Sequence, residues 1–299
     1  MLEQRFGFLD GIEITTEANP ESVTSESLEQ LRRSGVNRIS FGMQSAVPHV
    51  LSTLERTHSP ERLVSMVHAA RAAGFEHISV DLIYGTPGET LTDWHTSIDA
   101  ALALPIDHIS AYSLIVEEGT RFAKKVQRGE VPMPDEDTNA DKYLMATKAF
   151  EQRGLDWYEV SNWAREGGAC KHNLAYWNGD DWWGFGPGAH SHLAGQRWWN
   201  VKHPAAYAQR LAAGELPVMG RESLTESERE VERIMLNLRI RKGLPLSSLP
   251  RMATEQALAD GYLDGASFEL GQAVLTTNGR LMADAVVRSL VDELPSDSV

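Results

Sequence analysis

The chain has 299 residues, ordinary apolar and charged fractions, a formal net charge of −14 and one cysteine, Cys170. Such a length buries a sizeable core as one large domain plus a small one, and the acidic balance argues against nucleic acid, whose phosphates need a basic surface. A lone cysteine excludes an intramolecular disulfide framework and fits a reducing, cytoplasmic setting. No stretch approaches the roughly 20 apolar residues of a membrane-spanning helix, the first residues lack the apolar centre of a signal peptide, and disorder is expected only after Glu293.

In chain order, the first half reads as strand–helix units. β-Rich runs fall at Ile12–Thr16, Asn37–Phe41, His77–Ile83 and His108–Ile115. Between the first two, Thr24–Ser34 places Leu28 and Leu31 on one helical face, with Thr24 or Ser25 as N-cap and Glu26 suiting the helix dipole. Pro60–Ala73 aligns Leu63, Met66, Val67 and Ala70 and stops at Gly74. Leu91–Leu104 carries Trp94, Ile98, Ala101 and Leu102 and ends before Pro105. Strands and helices alternating at roughly thirty-residue spacing imply parallel strands joined by crossovers. A barrel or part of one follows more easily than a doubly wound sheet, because no nucleotide fingerprint opens the first unit.

A helix from Asp135 to Gly154 carries Tyr143, Leu144, Thr147 and Phe150, and a strand-like Trp157–Val160 follows. The aromatic and histidine-rich segments beyond are expected in loops, outside regular helices and strands. After Gly220 the character changes. Thr225-Glu-Ser-Glu228 forms a capping box, Val231, Ile234, Met235 and Leu238 form one apolar stripe, and Gly243 ends that helix. A helix near Thr254–Gly261, a short hairpin through Ala273–Leu275 and a last helix Gly279–Val291 complete a winged-helix-like unit. The expected fold is α/β: an incomplete parallel (β/α) barrel core over residues 1–155, an extension over 156–220, and a small winged-helix-like C-terminal domain over 221–299.

In barrels of strand–helix units, reactive groups sit at the carboxyl ends of strands. Glu17 and Gln44 end the first two runs and Asp81 interrupts the third, where a charge is costly unless paired or facing a cavity. Arg56, in the segment after Gln44, is a candidate partner for Asp81. These four would make a polar pocket for a ligand bearing an amine, a carboxylate and a ribose, or else a solvated rim around a structural Asp81.

The second constellation is His172-Asn173-x-x-Tyr176-Trp177, followed by Gly184-Phe-Gly-Pro-Gly-Ala-His190-Ser-His192. Histidine beside aromatic rings suits haem, with nitrogen on iron and aromatic faces on the macrocycle. Alternatively, His172 and Asn173 cap a turn and Trp177 is core. Cys170, His172, His190 and His192 could instead bind zinc, though at no common zinc spacing. Gly184-x-Gly186-x-x-Ala189 follows no apolar strand and lacks the downstream acidic residue of a dinucleotide fingerprint, so it is set aside.

Several ordered segments together resemble the coproporphyrinogen III oxidase-like branch of the radical S-adenosylmethionine (SAM) proteins, and within it the haem chaperones. They are Glu17–Pro20, Gly35–Ser45, Asp81–Gly88, Tyr158–Asn162, His172–Trp177 and Gly184–Ser191. The resemblance implies that Glu17, Gln44, Arg56 and Asp81 contact S-adenosylmethionine. It also implies that His172, Asn173, Tyr176 and Trp177 form a haem motif, with His172 on the iron and His190 the second candidate ligand. The expected function is haem binding and delivery to an acceptor protein, a respiratory one among the candidates. Its rivals are oxygen-independent oxidation of coproporphyrinogen III and a non-catalytic metal-binding scaffold.

The family also carries a Cys-x-x-x-Cys-x-x-Cys loop holding a [4Fe–4S] cluster and a Gly-Gly-Gly-Thr-Pro turn, and neither is present in this sequence. The chain starts where the family's third strand starts, which leaves Ile12–Thr16 as a bare sheet edge. The expectation is an incomplete copy of a longer protein, from a truncated or misassigned start, that does not cleave adenosylmethionine. In this view the cofactor and cluster belong to a full-length form.

Overall fold

The computed structural model describes residues 2–294, so the tail expected to be disordered lies, from residue 295 on, outside the described residues. Two compact units divide between Ala169 and Cys170. The expected boundaries at residues 155 and 220 fall just before a strand of the first unit and within a strand of the second.

The first unit contains α1 (Leu2–Phe6), β1 (Thr15–Ala18), α2 (Ser25–Arg33), β2 (Arg38–Gln44), α3 (Pro48–Thr53), α4 (Pro60–Ala72), β3 (His77–Tyr84), α5 (Leu91–Leu102), β4 (His108–Ser113), α6 (Arg121–Gln127), α7 (Glu136–Gln152), β5 (Asp156–Glu159) and β6 (Asn162–Ala164). Their sheet has the order β1-β2-β3-β4-β6-β5. The first four strands are parallel and adjacent in chain order, which is the expected partial-barrel arrangement. At one edge, in the residues expected to extend the barrel, the sheet continues through β6, which runs antiparallel to both β4 and β5. The turn between β5 and β6 is too short for a crossover, and Glu159 closes it by accepting from the Ser161 amide and the Asn162 side chain.

Helix ends follow the sequence closely because the caps are local. Thr24 caps α2 with Ser27 in a reciprocal box, Ser59 caps α4 and Asp135 caps α7. The apolar stripes of α4 and α5 pack on Ile39, Phe41, Ile78, Val80, Leu82 and Ile109 of the sheet, with Trp94 and Trp163 fully buried. Regular pairing of β1 starts at Thr15 rather than Ile12 because the Asn37 side chain intervenes. Its Oδ1 accepts from the Ile14 amide and its Nδ2 donates to the Ile12 carbonyl, replacing a backbone ladder.

The second unit contains α8 (Lys171–Asn178), β7 (His190–Leu193), β8 (Gln196–Asn200), α9 (Pro204–Ala212), β9 (Val218–Ser223), α10 (Glu226–Asn237), β10 (Leu244–Pro245), α11 (Arg251–Ala259), α12 (Gly265–Glu269), β11 (Gln272–Ala273), α13 (Thr277–Leu281) and α14 (Ala283–Asp292). Strands β7-β8-β9 form an antiparallel sheet within the region expected to be loops. Toward the C-terminus, Ile234, Leu238, Ala257, Leu263, Val286 and Leu290 make a second core. The expected local hairpin through Ala273–Leu275 is not one: β11 pairs with the distant β10, and Leu275 bridges Leu263. The expected last helix is two, because the backbone leaves helical geometry at Met282 (φ −104°, ψ 18°). No described helix is long and apolar enough to cross a membrane.

Candidate functional site

In the first unit, register places Gly42 opposite Asp81 and Asp81 opposite Ser110. Ser40 Oγ lies 3.0 and 3.1 Å from the two carboxylate oxygens of Asp81 and donates to them. Burial pushes Asp81 up to about 6, against the hydrogen bonds from Ser110 and Ser40, and the Glu17 carboxylate adds to the rise. Gln44 ends β2 after a bulge, in the left-handed region at φ 64°, and its amide oxygen is buried without a hydrogen-bond partner among the described residues. Glu17 is exposed on β1. The structure therefore gathers Glu17, Gln44 and Asp81 on neighbouring strands.

Arg56 does not join them. It is exposed in the turn after α3, its amide spent on the Leu51 carbonyl, and its guanidinium has no partner among the described residues. The expected Arg56–Asp81 pair is thus not formed, and two serine hydroxyls take its place.

Two supports of this region were not foreseen from the sequence. Buried His58 donates from Nε2 to the Met43 carbonyl at 2.9 Å, fixing the backbone beside Gln44. Glu89 accepts from the Gly85 amide at 2.8 Å, tying down the turn after β3. A histidine after Leu54-Glu-Arg-Thr57 and a glutamate after Gly85-Thr-Pro-Gly88 give no local pattern that separates a buried support from a solvated loop residue.

In the second unit, the expected loop placement of the histidine motif needs correction: His172, Asn173, Tyr176 and Trp177 all lie on α8. Gly179 stops that helix in the left-handed conformation, and the Asn237 side chain donates to the Trp177 carbonyl. Spacing of four residues puts His172 and Tyr176 on one face, where their rings meet edge-on at 4.8 Å. Tyr176 meets Trp182 at 4.9 Å, and Trp182 meets His192 at 4.8 Å. Asn173 and Trp177 occupy the adjacent helical face.

His190 sits on β7 against its cross-strand partner Trp199, ring centroids 5.9 Å apart and nearly parallel. Among the described residues, no three His, Cys, Asp or Glu side chains converge as a metal site. The zinc set of Cys170, His172, His190 and His192 is therefore not assembled.

The sheet was missed because its signals are weak. The β7–β8 turn uses Ala194 and Gly195, both at positive φ (51° and 80°), where a two-residue hairpin calls for Asn or Asp before Gly.

The radical SAM superfamily model matches residues 2–101. The "Heme chaperone HemW" of Mycobacterium tuberculosis is 48% identical over 294 residues, covering 97% of this chain and 75% of that protein. This chain belongs to the HemW/HemN-like family of radical SAM proteins. The "Heme chaperone HemW" of Bacillus subtilis is 34% identical, covering 94% of this chain and 76% of that protein. Coproporphyrinogen III oxidase (HemN) from Escherichia coli shares the fold, with a TM-score of 0.80 at 20% identity over 98% of this chain and 73% of that one.

A radical SAM family implies S-adenosylmethionine and a [4Fe–4S] cluster. Cluster ligation takes several thiolates, and Cys170 is the sole cysteine of this HemW/HemN-like chain, so these residues do not form a cluster ligand set. The strand-end site does fit a polar ligand: the Gln44 amide oxygen lacks a donor and the Asp81 carboxylate is held out of water.

Proposed function

We propose that this chain binds haem and delivers it to an acceptor protein, with His172 facing the iron. What carries the proposal is the run of rings His172–Tyr176–Trp182–His192, in which an exposed imidazole is backed by aromatic faces. Imidazole nitrogen suits iron, and aromatic surface suits the macrocycle. The haem-chaperone name borne by relatives at 48% and 34% identity points the same way. Asn173, Tyr176 and Trp177 complete the haem-facing surface of α8, and His190 is the second candidate ligand. A cytoplasmic setting belongs to the proposal, supported by the lone cysteine.

Glu17, Gln44, Arg56 and Asp81 are proposed as contacts for S-adenosylmethionine. Asp81 would accept from an amine or hydroxyl, Gln44 Oε1 from a donor that ends its orphaned state, and Arg56 would swing from solvent to a carboxylate. Bound adenosylmethionine would supply a sulfonium open to reductive cleavage; these residues would bind and orient it.

Hemin titration followed at the Soret band tests the haem assignment. Wild type and Cys170→Ala are expected to bind alike, with His172→Ala weaker by about tenfold, the scale of one lost axial contact. Equal affinities in all three would remove His172 from the site. Stoichiometric zinc with no Soret response would remove haem altogether.

A further inference from the structure

The three-stranded sheet of the second unit has two chemically different faces. Side chains alternate along strands, so His190, His192 and Trp199 share one face, the one that meets Trp182 and Tyr176. Trp198 and its cross-strand partner Arg221 share the other. Over that opposite face, between the sheet, α9 and the glycine-rich 184–188 segment, lies a cleft of about 410 Å³. Trp183, Phe185, Trp198, Tyr207, Leu216 and Arg221 line it. Its volume falls in the range of small-molecule sites, roughly 300–1,000 Å³.

The cleft is built rather than incidental. Asn200 Nδ2 donates to the carbonyls of Gly184 at 3.3 Å and Gly186 at 2.9 Å. The Gly184 amide donates to Ser191 Oγ, and the Gly186 amide to the Tyr207 hydroxyl. These bonds hold Phe185 65% exposed and Trp183 57% exposed, with Trp183 edge-on to Trp198 at 5.0 Å. Large rings fixed in water cost free energy unless a partner covers them. Arg221 is exposed and has no ion pair among the described residues, whereas neighbouring Arg197 is engaged by Glu232 and Glu222.

We propose that this cleft binds a porphyrin macrocycle by its face, with a peripheral carboxylate on Arg221, as a site separate from the His172 motif. Rigid aromatic walls select a flat apolar ring. An arginine without a partner selects an anionic edge. No histidine or cysteine lines the cleft, so the ring is held without iron ligation, and a metal-free porphyrin binds as well as haem. The choice of porphyrin as occupant rests on the haem-carrier proposal; the existence of a second, iron-independent site does not.

The test is a pair of titrations on the full chain: metal-free protoporphyrin IX by fluorescence anisotropy, and hemin by absorbance. Protoporphyrin is expected to bind wild type and His172→Ala equally. Joint Trp183→Ala and Phe185→Ala substitution weakens it by about tenfold, the scale of two lost ring contacts. Arg221→Gln should weaken the dicarboxylate by about fivefold while leaving its dimethyl ester unchanged, a contrast that general unfolding cannot produce. Hemin should occupy a second equivalent that the cleft variants weaken in the same proportion. If protoporphyrin binding is absent, or follows His172 instead of Trp183 and Phe185, the cleft proposal is overturned. If only a peptide competes at the cleft, the porphyrin occupant is likewise overturned. Loss of the His172-dependent Soret change with protoporphyrin binding intact would instead strike the haem-carrier proposal alone.

Discussion

Lys142 Nζ lies 2.8 Å from Glu89 Oε2, and both side chains are almost wholly withdrawn from water. The ammonium also donates to the Glu89 carbonyl at 3.0 Å, while Trp94 Nε1 donates to the Lys142 carbonyl at 2.9 Å. Through Glu89 this cluster holds the turn that follows β3. Removing one member strands a buried charge, so Lys142→Met should cost about 3–5 kcal/mol in urea unfolding. Adding Glu89→Gln should restore much of that loss. A double variant as unstable as the single one would show that packing, not charge pairing, sets the cost.

Asp81 predicts an unusual pH dependence. Its carboxyl titrates at about 6 in the folded chain instead of the ordinary 3.8, because burial outweighs its serine hydrogen bonds. Between those values the folded chain keeps a proton that the unfolded chain has lost, so rising pH weakens folding across that window. The full penalty at neutral pH is at most about 3 kcal/mol. Asp81→Asn should therefore be more stable than wild type at pH 7.5 and indistinguishable near pH 4. A difference that does not change with pH would contradict a desolvated Asp81. The variant should also lose affinity for S-adenosylmethionine if the proposed contact is real.

Buried His108 pulls the other way. Its Nδ1 meets Ser79 Oγ at 2.7 Å and its Nε2 meets the Tyr158 hydroxyl at 2.8 Å. Burial, with the Arg38 charge second, lowers its titration from 6.5 to about 3. The unfolded chain then takes up the proton first, and stability is lost as pH falls from 6.5 toward about 3. The advantage of wild type over His108→Gln should shrink steadily across that interval in a series of urea titrations. A constant advantage would mean that His108 is protonated in the folded state.

What could be read from the sequence was whatever depends on neighbours along the chain. Thr24, Asp135 and Thr225 cap the helices that follow them, and the stripe Leu63, Met66, Val67 and Ala70 faces the core. Glu17, Gln44 and Asp81 were placeable because strand ends in parallel units point to one rim. What depended on distant partners was hidden. Ser40 and Ser110 replace Arg56 at Asp81 only because register aligns three strands. The loop expectation for His172 failed because α8 has no side-chain N-cap and its apolar residues, Leu174 to Trp177, run consecutively instead of at helical spacing, and tertiary support such as Asn237 sustains it. The aromatic cleft needs β8, β9 and α9 together, and no local pattern announces it.

Gly220 offers a test of that hidden sheet. It lies opposite Trp199 across β8 and β9, and a Cβ at Gly220 would come within 2.4 Å of the indole carbon Cζ2 of Trp199. The indole rests on the bare glycine, an arrangement that stabilises a strand glycine by covering it. Gly220→Ala must push Trp199 off the strand and away from His190, at a cost of about 1–3 kcal/mol as overpacking. Tryptophan emission should shift to the red, because the displaced indole meets water. Gly265, at the first position of α12, has open space where a Cβ would go. Gly265→Ala should raise stability by up to about 1 kcal/mol through helix propensity. Equal behaviour of the two variants in thermal unfolding would mean that Trp199 does not lie on Gly220.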